Sequence, residues 1–97
     1  MAKVIAMRRS LVERILAALR TGLRTAGIRS KIQIQKIPRT NLSRVTILSD
    51  EFENLRPSER QDLVWRIIGQ ELTADEQLMI SMILTLTPGE LSGKDES

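Results

Sequence analysis

The chain of 97 residues contains no cysteine and no histidine. The first absence excludes disulfides, thiol nucleophiles and thiolate-held metals. The second removes the commonest metal ligand and the commonest general base. Tyrosine is missing too, and Phe52 and Trp65 are the only aromatic residues. The core must therefore be built from Ile, Leu, Val and Met. No apolar run approaches the roughly 20 residues that a membrane span requires. Val4-Ile5-Ala6-Met7 is too short for a signal-peptide core, and Arg8 and Arg9 follow it, so a cytoplasmic protein is expected. Ser49, Ser58 and Thr87 have no His or Cys to activate them. The adjacent carboxylates Asp50–Glu51 and Asp75–Glu76 read as caps or solvated turns. Neither an enzyme nor a bound metal or cofactor is expected.

What is present is charge, unevenly spread. Residues 1–44 carry eleven Lys and Arg against Glu13 alone, whereas residues 45–97 carry four against eleven acids. Such a basic half is the footprint of a polyanion binder. It is equally the pattern of a solvated surface whose halves attract each other in the fold.

The apolar pattern divides the chain into alternating elements. Val12, Ile15, Leu16, Leu19 and Leu23 share one helical face, and Ser10 with Glu13 forms a capping-box pattern ahead of them. Gly27 suits the positive φ of a helix stop. Ile28, Ile32 and Ile34 alternate with Lys31, Gln33 and Gln35, predicting a half-buried strand ended by Pro38. A loop over 38–43 leads to a second, antiparallel strand over 44–49, with Val45 and Ile47 on one face. Pro57 opens a helix running to about Leu72, and Ser58 with Gln61 forms a second capping-box pattern. Leu63, Val64, Ile67 and Ile68 form its buried stripe, with Arg60 upstream and Trp65 and Arg66 beside it. Thr73 to Glu76 is a third capping box, opening a short helix. Met79 to Thr87 then alternates as a third strand, with Ile80, Met82, Leu84 and Leu86 on one face and Ser81, Ile83, Thr85 and Thr87 on the other. Met79 and Met82 read as core residues.

The expected fold is α/β, an α+β two-layer sandwich of order α-β-β-α-α-β. Its three-stranded mixed sheet is covered by helices on one face. Residues 1–8 are expected to be a flexible arm, 9–91 a single domain and 92–97 a disordered acidic tail.

The stretch from Ser49 to Leu72 resembles the BolA family, which has this order and a type II KH-like fold. Ser49 and Phe52 stand at the first positions of the family pattern. Arg60 follows at the first Arg of its helix motif, Leu63-Val64 at the apolar pair and Trp65 at the Tyr position. Thr87-Pro88-Gly89-Glu90 is similar to the terminal motif. The departures are Gln61 and Asp62, where the family has His and Arg, and Met79, where it has another His. The resemblance implies a fold and a regulatory role, including transcription regulation. The iron–sulfur cluster shared with glutaredoxins is not implied, because an amide oxygen and a thioether are poor iron ligands.

Two partner classes are expected from these residues. The first is DNA or RNA, with Lys31, Lys36, Arg39 and Arg44 on the hairpin and Arg56, Arg60 and Arg66 on the helix contacting phosphates. No Gly-x-x-Gly loop accompanies them, and Phe52 and Trp65 read as packing residues rather than base stackers. The second is a protein partner or a homodimer, which the charge split also suits. Membrane binding ranks below both, since the apolar stripe of the first helix is needed for the core.

Overall fold

The structure is a computed structural model and describes residues 10–92. The expected arm at 1–8 and the tail beyond Ser92 lie outside the described residues. Helix α1 spans Leu11–Thr25. Ser10 caps it: its hydroxyl accepts from the Glu13 N–H at 3.1 Å, and the Glu13 carboxylate accepts from the Ser10 N–H at 3.2 Å. At the far end Gly27 adopts φ 80°. Its N–H donates to Arg24 O and the next N–H, of Ile28, donates to Leu23 O, both at 2.9 Å. This paired closure packs Ile28 against the helix it ends.

Strands β1 (Lys31–Lys36) and β2 (Ser43–Leu48) form an antiparallel hairpin. A 3-10 turn at Asp50–Asn54 follows, then helix α2 (Pro57–Glu71), a single-turn α3 (Ala74–Gln77) and β3 (Ile80–Leu86). Strand β3 lies parallel to β2 on the side away from β1, so β2 is central in a mixed three-stranded sheet. A last short helix, α4 (Pro88–Ser92), closes the described chain. The expected order α-β-β-α-α-β is present, with α4 added.

Both long helices cover one face of the sheet. Ile15, Leu19 and Leu23 from α1, Val64 and Ile68 from α2, Val45 and Ile47 from β2, and Phe52 are fully buried between the layers. Each such side chain contributes about 1.5–3 kcal/mol relative to its exposed state. Helices α1 and α2 run antiparallel, with Arg14 of α1 bonded to Glu76 and to the carbonyl of Glu71 near the end of α2. Among the described residues no helix is long and apolar enough to cross a membrane.

Two local expectations are corrected. The α2 N-cap is Arg56 rather than Ser58, and Glu59, not Gln61, accepts the Arg56 N–H at 2.8 Å. Pro57 at the first helical position sets that frame. In β3, Ser43 pairs with Ile80 but Arg44 pairs with Met82, so Ser81 is an extra residue in a bulge. The Ser81 hydroxyl donates to Ser43 O at 3.2 Å. The bulge turns Ile80 to the same side as Ile83, and both are buried against the helices. Met82 is left on the opposite face, 47% exposed, and is not a core residue.

Candidate functional site

The residues that carry the BolA-like pattern converge on one buried side chain, Arg60. It sits in the first turns of α2 and is 4% exposed. Its Nε donates to Phe52 O at 3.0 Å and Leu55 O at 3.1 Å. One terminal nitrogen donates to Thr85 O at 3.0 Å and to the Glu90 carboxylate at 2.8 Å, and the other reaches the second Glu90 oxygen at 3.3 Å. The guanidinium carbon lies 5.5 Å from the centre of the Phe52 ring. Thr87 and Glu90 are reciprocal caps of α4, with N–H to carboxylate at 3.0 Å and N–H to hydroxyl at 3.2 Å. Ser49 ties the end of β2 to β3, its N–H donating to Leu86 O at 3.0 Å. Phe52, Arg60, Thr87 and Glu90 are thus parts of one fastening, with Ser49 tying the strand ends. Arg60 must be removed from the phosphate-contacting set, because it is buried and all three of its guanidinium nitrogens donate inside the protein.

This fastening titrates. The Arg60 guanidinium, and then the Thr87 N–H, hold the Glu90 carboxyl below its ordinary value of 4.5. Arg14 and then the Thr73 N–H do the same for Glu76, and the Arg29 N–H and then the Ser49 hydroxyl for Glu51. Carboxyls depressed in the folded state stabilise it fully above their unfolded values. That contribution is lost as pH falls through the folded ones. The urea midpoint is therefore expected to be flat near neutrality and to fall below about pH 4.5. The variant Glu90→Gln should be less stable at neutral pH and show a shallower acid decline. Chemical denaturation across pH measures both.

Gln61 has a structural task. Its amide nitrogen donates to Ile83 O at 2.8 Å, and its oxygen accepts from Trp65 Nε1 at 3.1 Å. Ser49 and Leu86 bond across the β2–β3 pair. By strand alternation the carbonyls of Ile83 and Thr85 point to the outer edge of β3. Gln61 and Arg60 therefore close that edge. Phe52 is fully buried and Trp65 is half-buried against the core, so both aromatics pack as expected.

The opposite face of the sheet has no helix on it among the described residues. The register places Gln35, Arg44 and Met82 in one row, Gln33, Thr46 and Leu84 in the next, and Lys31, Leu48 and Leu86 in the third. One side of this face is thus an apolar column of Leu48, Met82, Leu84 and Leu86. The other is polar and basic, with Lys31 and Arg44. The remaining cations lie elsewhere. Lys36 ends β1 on the helix-side alternation. Arg39 is in the hairpin turn at φ 64°. Arg56 caps α2, and Arg66 is exposed on the outer side of α2. The seven expected phosphate contacts therefore divide among the sheet face, the hairpin tip, the helix layer and the core.

No protein-family model matches the chain, and no curated protein does. Among solved structures a Bol-like protein from Babesia bovis is similar over 92% of this chain and 95% of its own, at a TM-score of 0.50. The two chains share a fold. At 23% identity the likeness is one of architecture. It agrees with the element order and the mixed sheet found here. Among the described residues no three His, Cys, Asp or Glu side chains are grouped as a metal site.

Proposed function

We propose that the protein is a non-enzymatic interaction module that binds a protein partner through the open face of its sheet. The observation that carries this reading is the apolar column of Leu48, Met82, Leu84 and Leu86 beside the cations Lys31 and Arg44. An apolar patch rimmed by charge is the anatomy of an interface core with its polar rim. The absence of an aromatic from this face, and the division of the cations, weigh against a base-stacking groove.

A photo-crosslinking residue at position 82, used in a native lysate, is expected to capture a discrete protein. Met82→Glu should reduce binding of that protein by about tenfold or more, since a buried unpaired charge costs several kcal/mol. Crosslinking spread over many proteins, or insensitivity to the Glu substitution, overturns the reading. The second reading is nucleic-acid binding by the hairpin. It is favoured by one observation: Arg29, Lys31, Lys36, Arg39 and Arg44 follow one another with no carboxylate between them. Recovery of DNA or RNA without protein, with affinity falling steeply in salt, supports it instead.

A further inference from the structure

The two edges of the sheet are unequal. The β3 edge is closed, since Arg60 and Gln61 occupy the carbonyls of Thr85 and Ile83. The β1 edge has no such cover among the described residues. Ile37 N–H donates to Leu42 O at 2.9 Å, and the same ladder continues through the pairs Gln35–Arg44, Gln33–Thr46 and Lys31–Leu48. Antiparallel alternation then turns the N–H and C=O groups of Ile32, Ile34 and Lys36 outward. Among the described residues no hydrogen bond reaches them. The side chains of Ile32 and Ile34 point to the helix layer and are only half-buried there.

We infer that the β1 edge accepts an extended, acidic polypeptide segment as a fourth strand. Strand addition uses the unpaired backbone for affinity and alternate side chains for choice of partner. The choice is set by charge. From Arg29 to Arg44 the chain carries five cations and no carboxylate, and Lys31 and Lys36 stand at the two ends of β1. A partner strand that alternates acidic and apolar residues places its carboxylates beside Lys31 on the open face. Its apolar residues then cover Ile32 and Ile34. A second copy of this chain brings the same five cations against themselves. A nucleic acid can neutralise the cations but offers no alternating amide ladder. This edge shares Lys31 with the open face but none of its apolar column on β2 and β3, and the assignment stands without that face.

The test uses the full chain and a capped peptide of the length of β1, alternating glutamate and valine. Backbone amide exchange is followed by NMR with and without peptide. The amides of Ile32, Ile34 and Lys36 are expected to slow by about tenfold or more near saturation, while Gln33 and Gln35, already in the ladder, stay unchanged. Ile34→Pro deletes one outward N–H and leaves the β1–β2 ladder intact. It should weaken the peptide by about tenfold while Gln33 and Gln35 remain protected. Replacing Lys31 and Lys36 with Glu should weaken it further. Absence of binding, or binding that leaves the outward amides exchanging at their free rate, overturns the assignment. So does protection that grows with protein concentration alone, which marks a second copy. Protection by an oligonucleotide of matching charge overturns it as well.

Discussion

Arg60→Met is expected to destabilise the protein by about 3–5 kcal/mol, the range for removing one partner of a buried ion pair. The methionine fills part of the volume and answers none of the bonds. The carbonyls of Leu55 and Thr85 lose the Arg60 donor, Phe52 O keeps only the Leu55 N–H, and Glu90 loses its cation. Each carbonyl left buried without a donor costs about 1–3 kcal/mol. Glu90 is partly exposed and recovers some hydration, which holds the sum within the stated range. Arg60→Lys should not restore stability. An ammonium is a compact charge and cannot span carbonyls on two sides together with both carboxylate oxygens. Urea denaturation with circular dichroism measures the loss. In a chain of this size about 3 kcal/mol lowers the melting temperature by roughly 12–24 °C. A Met variant within about 1 kcal/mol of the parent shows that these bonds add little beyond solvation.

Gly22→Val is expected to cost about 3 kcal/mol, the upper part of the range for overpacking a well-filled interface. A Cβ at Gly22 stands 2.5 Å from Ile67 Cγ2 and 2.8 Å from Cγ1. Those atoms branch directly from the Ile67 Cβ and cannot swing away as the tip of a long side chain does. Helices α1 and α2 must separate, or Ile67 must leave its rotamer. The glycine therefore sits in a helix interior despite costing about 1 kcal/mol in propensity. Gly22→Ala gains that propensity but still makes the clash, so its loss should be smaller. The second-site change Ile67→Ala should recover part of the Gly22→Val defect, giving a coupling energy of about 0.5–3 kcal/mol in a double-mutant cycle. Strict additivity of the two changes removes the close approach as the cause.

Features fixed by neighbours in the chain were legible before the fold was known. Ser10 with Glu13 and Thr73 with Glu76 cap their helices as their spacing predicts. Gly27 takes the positive φ assigned to it. The alternation at Val45 and Ile47 places both in the core. The shift of the α2 cap to Arg56 was also within reach, because Pro57 at the first helical position makes Glu59 the third. The Thr87–Glu90 spacing is likewise a capping box, and it opens α4. Other features had no local signal. Arg60 looks like a surface cation until Thr85 and Glu90, distant in sequence, come together with Phe52 around it. The bulge at Ser81 leaves no mark in the alternation, so the pattern predicts a core position for Met82 although it faces out. The candidate surface was therefore readable as a charge count but not as a place. Only pairing across three strands shows which cations share a face with Leu84 and Leu86.

The order of the sheet also has a consequence in time. Strand β2 meets β1 through a short hairpin, a contact of low sequence separation that closes on the order of microseconds. It meets β3 only after the chain between them has formed α2 and crossed back, and the entropy of that long closure comes before any contact repays it. The bonds from α2 to Thr85 and Glu90 join segments that are remote along the chain, so they are expected to form on the late, downhill side of the barrier. Interactions made after the transition state govern how fast a protein comes apart rather than how fast it assembles. The ties at the β3 edge are therefore expected to act as a brake on unfolding, so that removing them raises the unfolding rate more than it lowers the folding rate.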